Sequence, residues 1–139
     1  MTFLIDTNVL SELRRPERAD RNVVAWFSDR HPTTLYTSAV VVMELQFGAL
    51  HMQRRDPVQG QPLLDWVAHR VLRDFASRIL PMSTDVALAC AALHVPNPRS
   101  ERDAWIAATA LVHDLTVVTR NTRDFESTGV RVLNPWLQA

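Results

Sequence analysis

Hydrophobic and polar positions alternate between two patterns along this chain. Short apolar runs of strand length occur at Thr2–Ile5, Thr34–Thr37, Arg78–Leu80, Thr116–Thr119 and Arg131–Leu133. Between them the apolar positions recur at three- and four-residue spacing, which predicts helices at 9–15, 21–30, 39–54, 62–77, 84–94 and 103–113, and a short turn at 123–127. Ser38, Ser83 and Ser100 stand where helix N-caps are expected. Strands alternating with helices predict an α/β fold: a parallel sheet with helices on both faces, and a single domain over residues 1–139. The stretch DPVQGQP at 56–62 reads as the most loop-like, followed by VPNPRSE at 95–101.

In open parallel sheets, ligands bind beyond the carboxyl ends of the strands. The first strand ends on Asp6, which is either a helix cap or half of a metal site. After the second strand come Ser38 and, on the helix that follows, Glu44. Val40, Val41, Glu44, Leu45 and Gly48 share one helical face, apolar except for the carboxylate, and a lone buried carboxylate is costly. Asp103 heads a similar stripe with Ile106, Ala107 and Ala110, where an Asp also favours the helix dipole. After the fourth strand comes Arg120-Asn121-Thr122-Arg123-Asp124. One fold would bring the four acids to one sheet edge, where they would repel. A hard divalent cation removes that conflict, and oxygen-only donors select magnesium or manganese.

Composition narrows the chemistry. Apolar residues make up 47% and charged residues 22% of the 139, an ordinary globular mix. Fifteen basic residues balance fifteen acidic ones, and every basic residue is arginine. The absence of lysine excludes a P-loop, a Schiff base and a kinase lysine. It also argues against a receiver domain and a haloacid-dehalogenase phosphatase; the latter needs a second acid where Asn8 stands. Zero net charge confines any nucleic-acid contact to local arginines. The single cysteine, Cys90, reads as a small core residue, and His31, His51, His69, His94 and His113 show no ligand spacing. No apolar run approaches membrane-spanning length, and the N-terminus lacks a signal-peptide pattern, so a cytoplasmic location without membrane contact is expected.

The stretches FLIDTNVLSEL, TSAVVVMELQFG, DAWIAATALVHDLTVVTRNTRDF and GVRVLNPW resemble the PIN-domain ribonucleases of the VapC type, with a leaning to the FitB-like branch. The resemblance runs essentially full length. It implies a three-layer PIN-like fold, a twisted parallel sheet of about five strands (order 3-2-1-4-5) flanked by helices. It implies a metal-dependent endoribonuclease, the toxin of a bacterial type II toxin–antitoxin system, with Mg2+ or Mn2+ as cofactor. Asp6, Glu44, Asp103 and Asp124 match the catalytic and metal-holding acids; Thr7, Asn8, Ser38, Thr119 and Asn121 would orient them, and Arg120 and Arg123 could grip phosphate. Asn121 stands where many relatives carry an acid and adds no charge. The implied partners are RNA as substrate, a small VapB-like antitoxin, and a second copy of the chain, with DNA reached only through the antitoxin. A DNA nuclease, or a non-catalytic metal-binding or interaction domain of the same fold, are the competing readings.

Overall fold

The computed structural model describes residues 1–138. Five strands form one sheet: β1 (Phe3–Ile5), β2 (Leu35–Ser38), β3 (Ile79–Leu80), β4 (Thr116–Val118) and β5 (Val132–Leu133). Their order is β3-β2-β1-β4-β5, and each neighbouring pair is parallel. The register sets Leu4 against Tyr36 on one side and Val117 on the other. Every expected strand is found within one residue of its expected ends; β1, β2 and β4 are the inner, largely buried strands, and β3 and β5 are short, half-buried edge strands. Phe3, Leu4, Ile5, Val117 and Val118 are all buried. Side chains of this size contribute about 1.5–3 kcal/mol each on leaving water.

The helices are α1 (Thr7–Leu13), α2 (Arg21–Ser28), α3 (Ala39–Arg55), α4 (Pro57–Trp66), α5 (Leu72–Asp74), α6 (Thr84–Leu93) and α7 (Glu101–Val112). A π-helical turn, Val67–Val71, joins α4 to α5. The chain steps outward from β1 to β3, then returns to the far side of β1 for β4 and β5. With right-handed crossovers, that reversal puts helices on opposite faces of the sheet. It also opens a crevice at the carboxyl ends of β1 and β4.

Three helix starts differ from expectation by two residues or more, and the helix expected over 62–77 is interrupted by the π turn and ends at Asp74. Residues 56–62 are helical, not a loop: Asp56 accepts from the Val58 and Gln59 amides at 3.1 and 3.3 Å, and Pro57 takes the first helical position, where its missing N–H costs nothing. Gly60 in this helix packs so closely on α3 that a Cβ would fall onto the Gln53 backbone. Helix α7 starts at Glu101, two residues early, so Asp103 sits in its first turn instead of opening it. Helix α1 starts at Thr7, directly after Asp6. Among the described residues no helix is long and apolar enough to cross a membrane.

Candidate active site

Asp6 caps α1 and also lies within electrostatic reach of Glu44 and Asp103. Its Oδ1 accepts the Thr7 amide at 2.8 Å, capping α1. Its Oδ2 accepts the Thr119 hydroxyl at 2.8 Å and Asn8 Nδ2 at 3.3 Å. The Asp6 amide donates to Val118 O at 3.0 Å, which ties the end of β1 to the end of β4. The residue is 6% exposed. Burial pushes its carboxyl up to about 6; the Thr119 and Thr7 hydrogen bonds oppose the shift, and the charges of Glu44 and Asp103 add to it.

Thr119 uses its whole hydrogen-bonding capacity. It donates to Asp6 and accepts from Asn8 Nδ2 and from the Asn121 amide, both at 3.1 Å. Asn8 completes the lattice, its Oδ1 accepting the Arg120 amide at 3.0 Å. The loop after β4 is thereby fixed to the loop after β1.

Glu44 arrives on α3, whose start is set by Ser38: the buried Ser38 hydroxyl accepts the Val41 amide at 3.2 Å. That bond occupies Ser38 as a cap, and none of its hydrogen bonds reaches a carboxylate. Val40, Val41 and Leu45 on the same face are buried, while Glu44 keeps 21% of its side chain exposed. Its Oε1 accepts the Thr7 hydroxyl at 2.8 Å, and its Oε2 lies 3.6 Å from Arg102 Nη1. Arg102, absent from the sequence-based set, also lies over Phe47, its guanidinium carbon 5.3 Å from the ring centre. Its signal was its position beside Asp103. A groove of about 290 Å3 runs from Thr7 and Glu44 to Leu63, Trp66 and Val67.

Asp103 is half-buried. Burial raises its pKa first, then the neighbouring charges of Asp124 and Glu44, against a hydrogen bond with Ser100. Asp124 lies exposed on a 3-10 turn, Thr122–Phe125, which the buried Phe125 anchors. Arg120 and Arg123 are exposed beside it, and with Asn121, Thr122 and Asp124 they line an open depression of about 530 Å3. Arg120 also lies 5.0 Å above the Trp136 ring. The Asn121 side chain makes no hydrogen bond among the described residues; its backbone does, the amide donating to Thr119 Oγ1 and the carbonyl accepting the Asp124 amide, both at 3.1 Å.

The structure thus brings Asp6, Glu44 and Asp103 within electrostatic reach of one another, with Asp124 beside Asp103. Among the described residues, one side-chain cation lies within 4 Å of these acids: Arg102, 3.6 Å from Glu44. The donors are all oxygen, and burial works against the ionisation of Asp6 and Asp103. Such a set suits a hard divalent cation that would supply the missing positive charge.

The chain matches the PIN domain family over residues 3–130. It is 38% identical over 142 residues to the VapC ribonuclease Y4jK of Sinorhizobium fredii, covering 96% of this chain and 97% of that one. It is 38% identical over 140 residues to Toxin FitB of Neisseria gonorrhoeae, covering 96% and 98%. The crystal structure of FitAcB from Neisseria gonorrhoeae superposes with a TM-score of 0.87 at 35% identity, covering 98% of this chain and 99% of that one. The structure of FitAB bound to an IR36 DNA fragment gives 0.86 at 34% identity, covering 97% and 96%. A parallel sheet of this order, with acids collected where its winding reverses, and relatives similar over nearly their whole lengths lead to one assignment: the chain belongs to the PIN-domain family.

Proposed function

We infer that the protein is a toxin nuclease of the VapC and FitB kind, an endoribonuclease that depends on magnesium or manganese. The observation that carries this reading is the buried Asp6 at the reversal of the sheet, its carboxyl pushed up to about 6 in the company of Glu44 and Asp103. Asp6 and Asp103 would hold the cation directly, and Glu44 and Asp124 would hold its water shell or a second ion. Bound there, the cation supplies Lewis acidity, which makes water a nucleophile at neutral pH and offsets the charge that builds up on phosphorus.

The chain's own residues do the rest. Thr119, Thr7 and Asn8 fix the two Asp6 oxygens, so the carboxylate need not reorganise as substrate arrives. Thr7 holds Glu44 turned toward Asp6. Arg120 and Arg123 line the open depression next to Asp124, where a fork of N–H donors can accept a phosphate of the RNA strand. Arg102 offers a third fork on the Glu44 side.

Relatives named as toxins, and similar structures titled as complexes with a partner, support a small antitoxin as partner. Exposed Met43, Phe47 and Leu50 on α3 support an apolar contact, either with that antitoxin or with a second copy of the chain. Total bacterial RNA incubated with the protein, with and without magnesium or manganese, tests the central reading. Cleavage should need the metal and vanish in Asp103→Asn. Cleavage of single-stranded DNA at equal rate would favour a general nuclease instead.

A further inference from the structure

One cluster of metal-ligating side chains lies outside the acidic cleft. Cys90 and His94 stand four residues apart, on α6 and at its C-cap, and so face the same way. Glu101 opens α7 opposite them. Cys90 Sγ lies 4.0 Å from His94 Nε2, and His94 Nε2 lies 3.8 Å from Glu101 Oε1. All three ligand atoms fall within 4.8 Å of one another. Comparing the histidines only with each other misses this, because the partners are a cysteine one turn back and an acid on the next helix.

These separations are close to what a tetrahedral ion demands. With sulfur at about 2.3 Å and nitrogen or oxygen at about 2.0–2.1 Å, ligand atoms sit roughly 3.3–3.6 Å apart. The Cys90–His94 and His94–Glu101 separations stand about 0.4 Å beyond these values, so binding would draw the three side chains inward. The cluster also has a closed end and an open end. Cys90 is 3% exposed, whereas the His94 and Glu101 side chains are 22% and 76% exposed. We propose that Cys90, His94 and Glu101 form a sulfur–nitrogen–oxygen site for a zinc-class cation, with water in the fourth position. This does not depend on the nuclease reading.

The site has a competitor in the fold. His94 Nδ1 accepts the Arg99 amide at 3.2 Å, so the neutral ring carries its proton on Nε2. To ligate, Nε2 must give up that proton. The ring proton then sits on Nδ1, the Arg99 amide loses its acceptor, and the Cys90 thiol releases its proton to solvent. Arg99 further fastens the segment through Nε to Leu93 O and Nη1 to Glu126 O, both at 3.0 Å. Loading the cation therefore breaks one of the three bonds that Arg99 makes in the segment 95–100, which runs into Arg102 and Asp103. The cation and the loop share a single imidazole.

Cobalt(II) is the probe, added to the full chain in excess magnesium. The expected result is a thiolate-to-cobalt charge-transfer band saturating at one equivalent. Cys90→Ser should abolish it, and Asp6→Asn should leave it unchanged. Glu101→Gln, at a side chain that is largely exposed, should weaken cobalt binding about tenfold or more, since a lost ligand costs at least as much as a lost outer partner. Zinc should speed hydrogen exchange at the Arg99 amide in the parent protein and not in Cys90→Ser. No band in the parent protein overturns the proposal. So does a band whose midpoint is the same in Glu101→Gln and His94→Ala, which would mean a lone thiol collecting cobalt. An Arg99 amide indifferent to zinc overturns the competition with the loop.

Discussion

The Thr119 hydroxyl donates to Asp6 Oδ2 at 2.8 Å, across a sequence separation of 113 residues. This bond joins the ends of β1 and β4, and it opposes the effect of burial on Asp6. Thr119→Val keeps the shape and removes the donor. It should weaken metal binding and activity by about 10–100-fold, with little change in the fold by circular dichroism. Titration calorimetry with manganese would decide; an unchanged affinity would mean that the bond is only structural.

Asp6 also gives stability a pH dependence. Its folded pKa of about 6 lies above the ordinary 3.8, so between these values the folded state binds more protons than the unfolded one. Without metal, stability should therefore rise as pH falls through about 6 and level off near 3.8; above 6 the penalty is fully present. From pH 7 to pH 5 the gain from Asp6 should be about 1.3 kcal/mol. Urea denaturation of the parent protein and of Asp6→Asn at the two pH values isolates it. The variant should lack this increment and be the more stable of the two at pH 7.

A bound cation should reverse that ordering. At about 100 times Kd it stabilises the folded state by about 2.7 kcal/mol. Melting temperature should rise with manganese in the parent protein, and the rise should be blunted in Asp6→Asn and Asp103→Asn. A melting curve indifferent to millimolar manganese would count against the acids as a metal site.

Helix α4 offers a test of the fold independent of the chemistry. Gly60→Ala would drive a methyl group into the Gln53 backbone. The loss should be about 1–3 kcal/mol, read as a lower urea midpoint at unchanged slope.

The reaction products report the nucleophile. Ribonucleases that use the 2′-hydroxyl leave a cyclic or 3′ phosphate and rely on acid–base histidines. The acidic cleft contains no histidine among its described members. Water attacking in line should leave a 5′ phosphate and a 3′ hydroxyl. Ligation and phosphatase sensitivity of the RNA ends distinguish the two, and a 2′,3′-cyclic phosphate would overturn the metal-hydrolysis mechanism.

Much of this site is legible in the sequence because burial leaves a strong signature. Glu44 stands out as one charge on an apolar stripe, and β1 as an apolar run ending on an acid. The misreadings have particular physical causes. Residues 56–62 look like a loop because Pro and Gly usually break helices, but Asp56-Pro57 is itself a helix start and Gly60 serves a close helix crossing. Arg102 is hard to single out because an arginine in the first turn of a helix carries no pattern beyond its place beside Asp103; only the fold turns it toward Glu44. Cys90, His94 and Glu101 escape because their proximity depends on how α6 packs against α7.

The order β3-β2-β1-β4-β5 has a consequence for timing. Asp6 lies near the start of the chain, and the strand that supplies Thr119 is the fourth of five. Until residues 116–124 have been synthesised and inserted beside β1, Asp6 lacks both its Thr119 bond and the neighbouring charge of Asp103 in a fixed helix. An unfinished or locally opened chain therefore has no partly competent cleft. The sheet thereby works as a built-in delay: the bond that fixes Asp6 cannot form until the fourth of the five strands is in place.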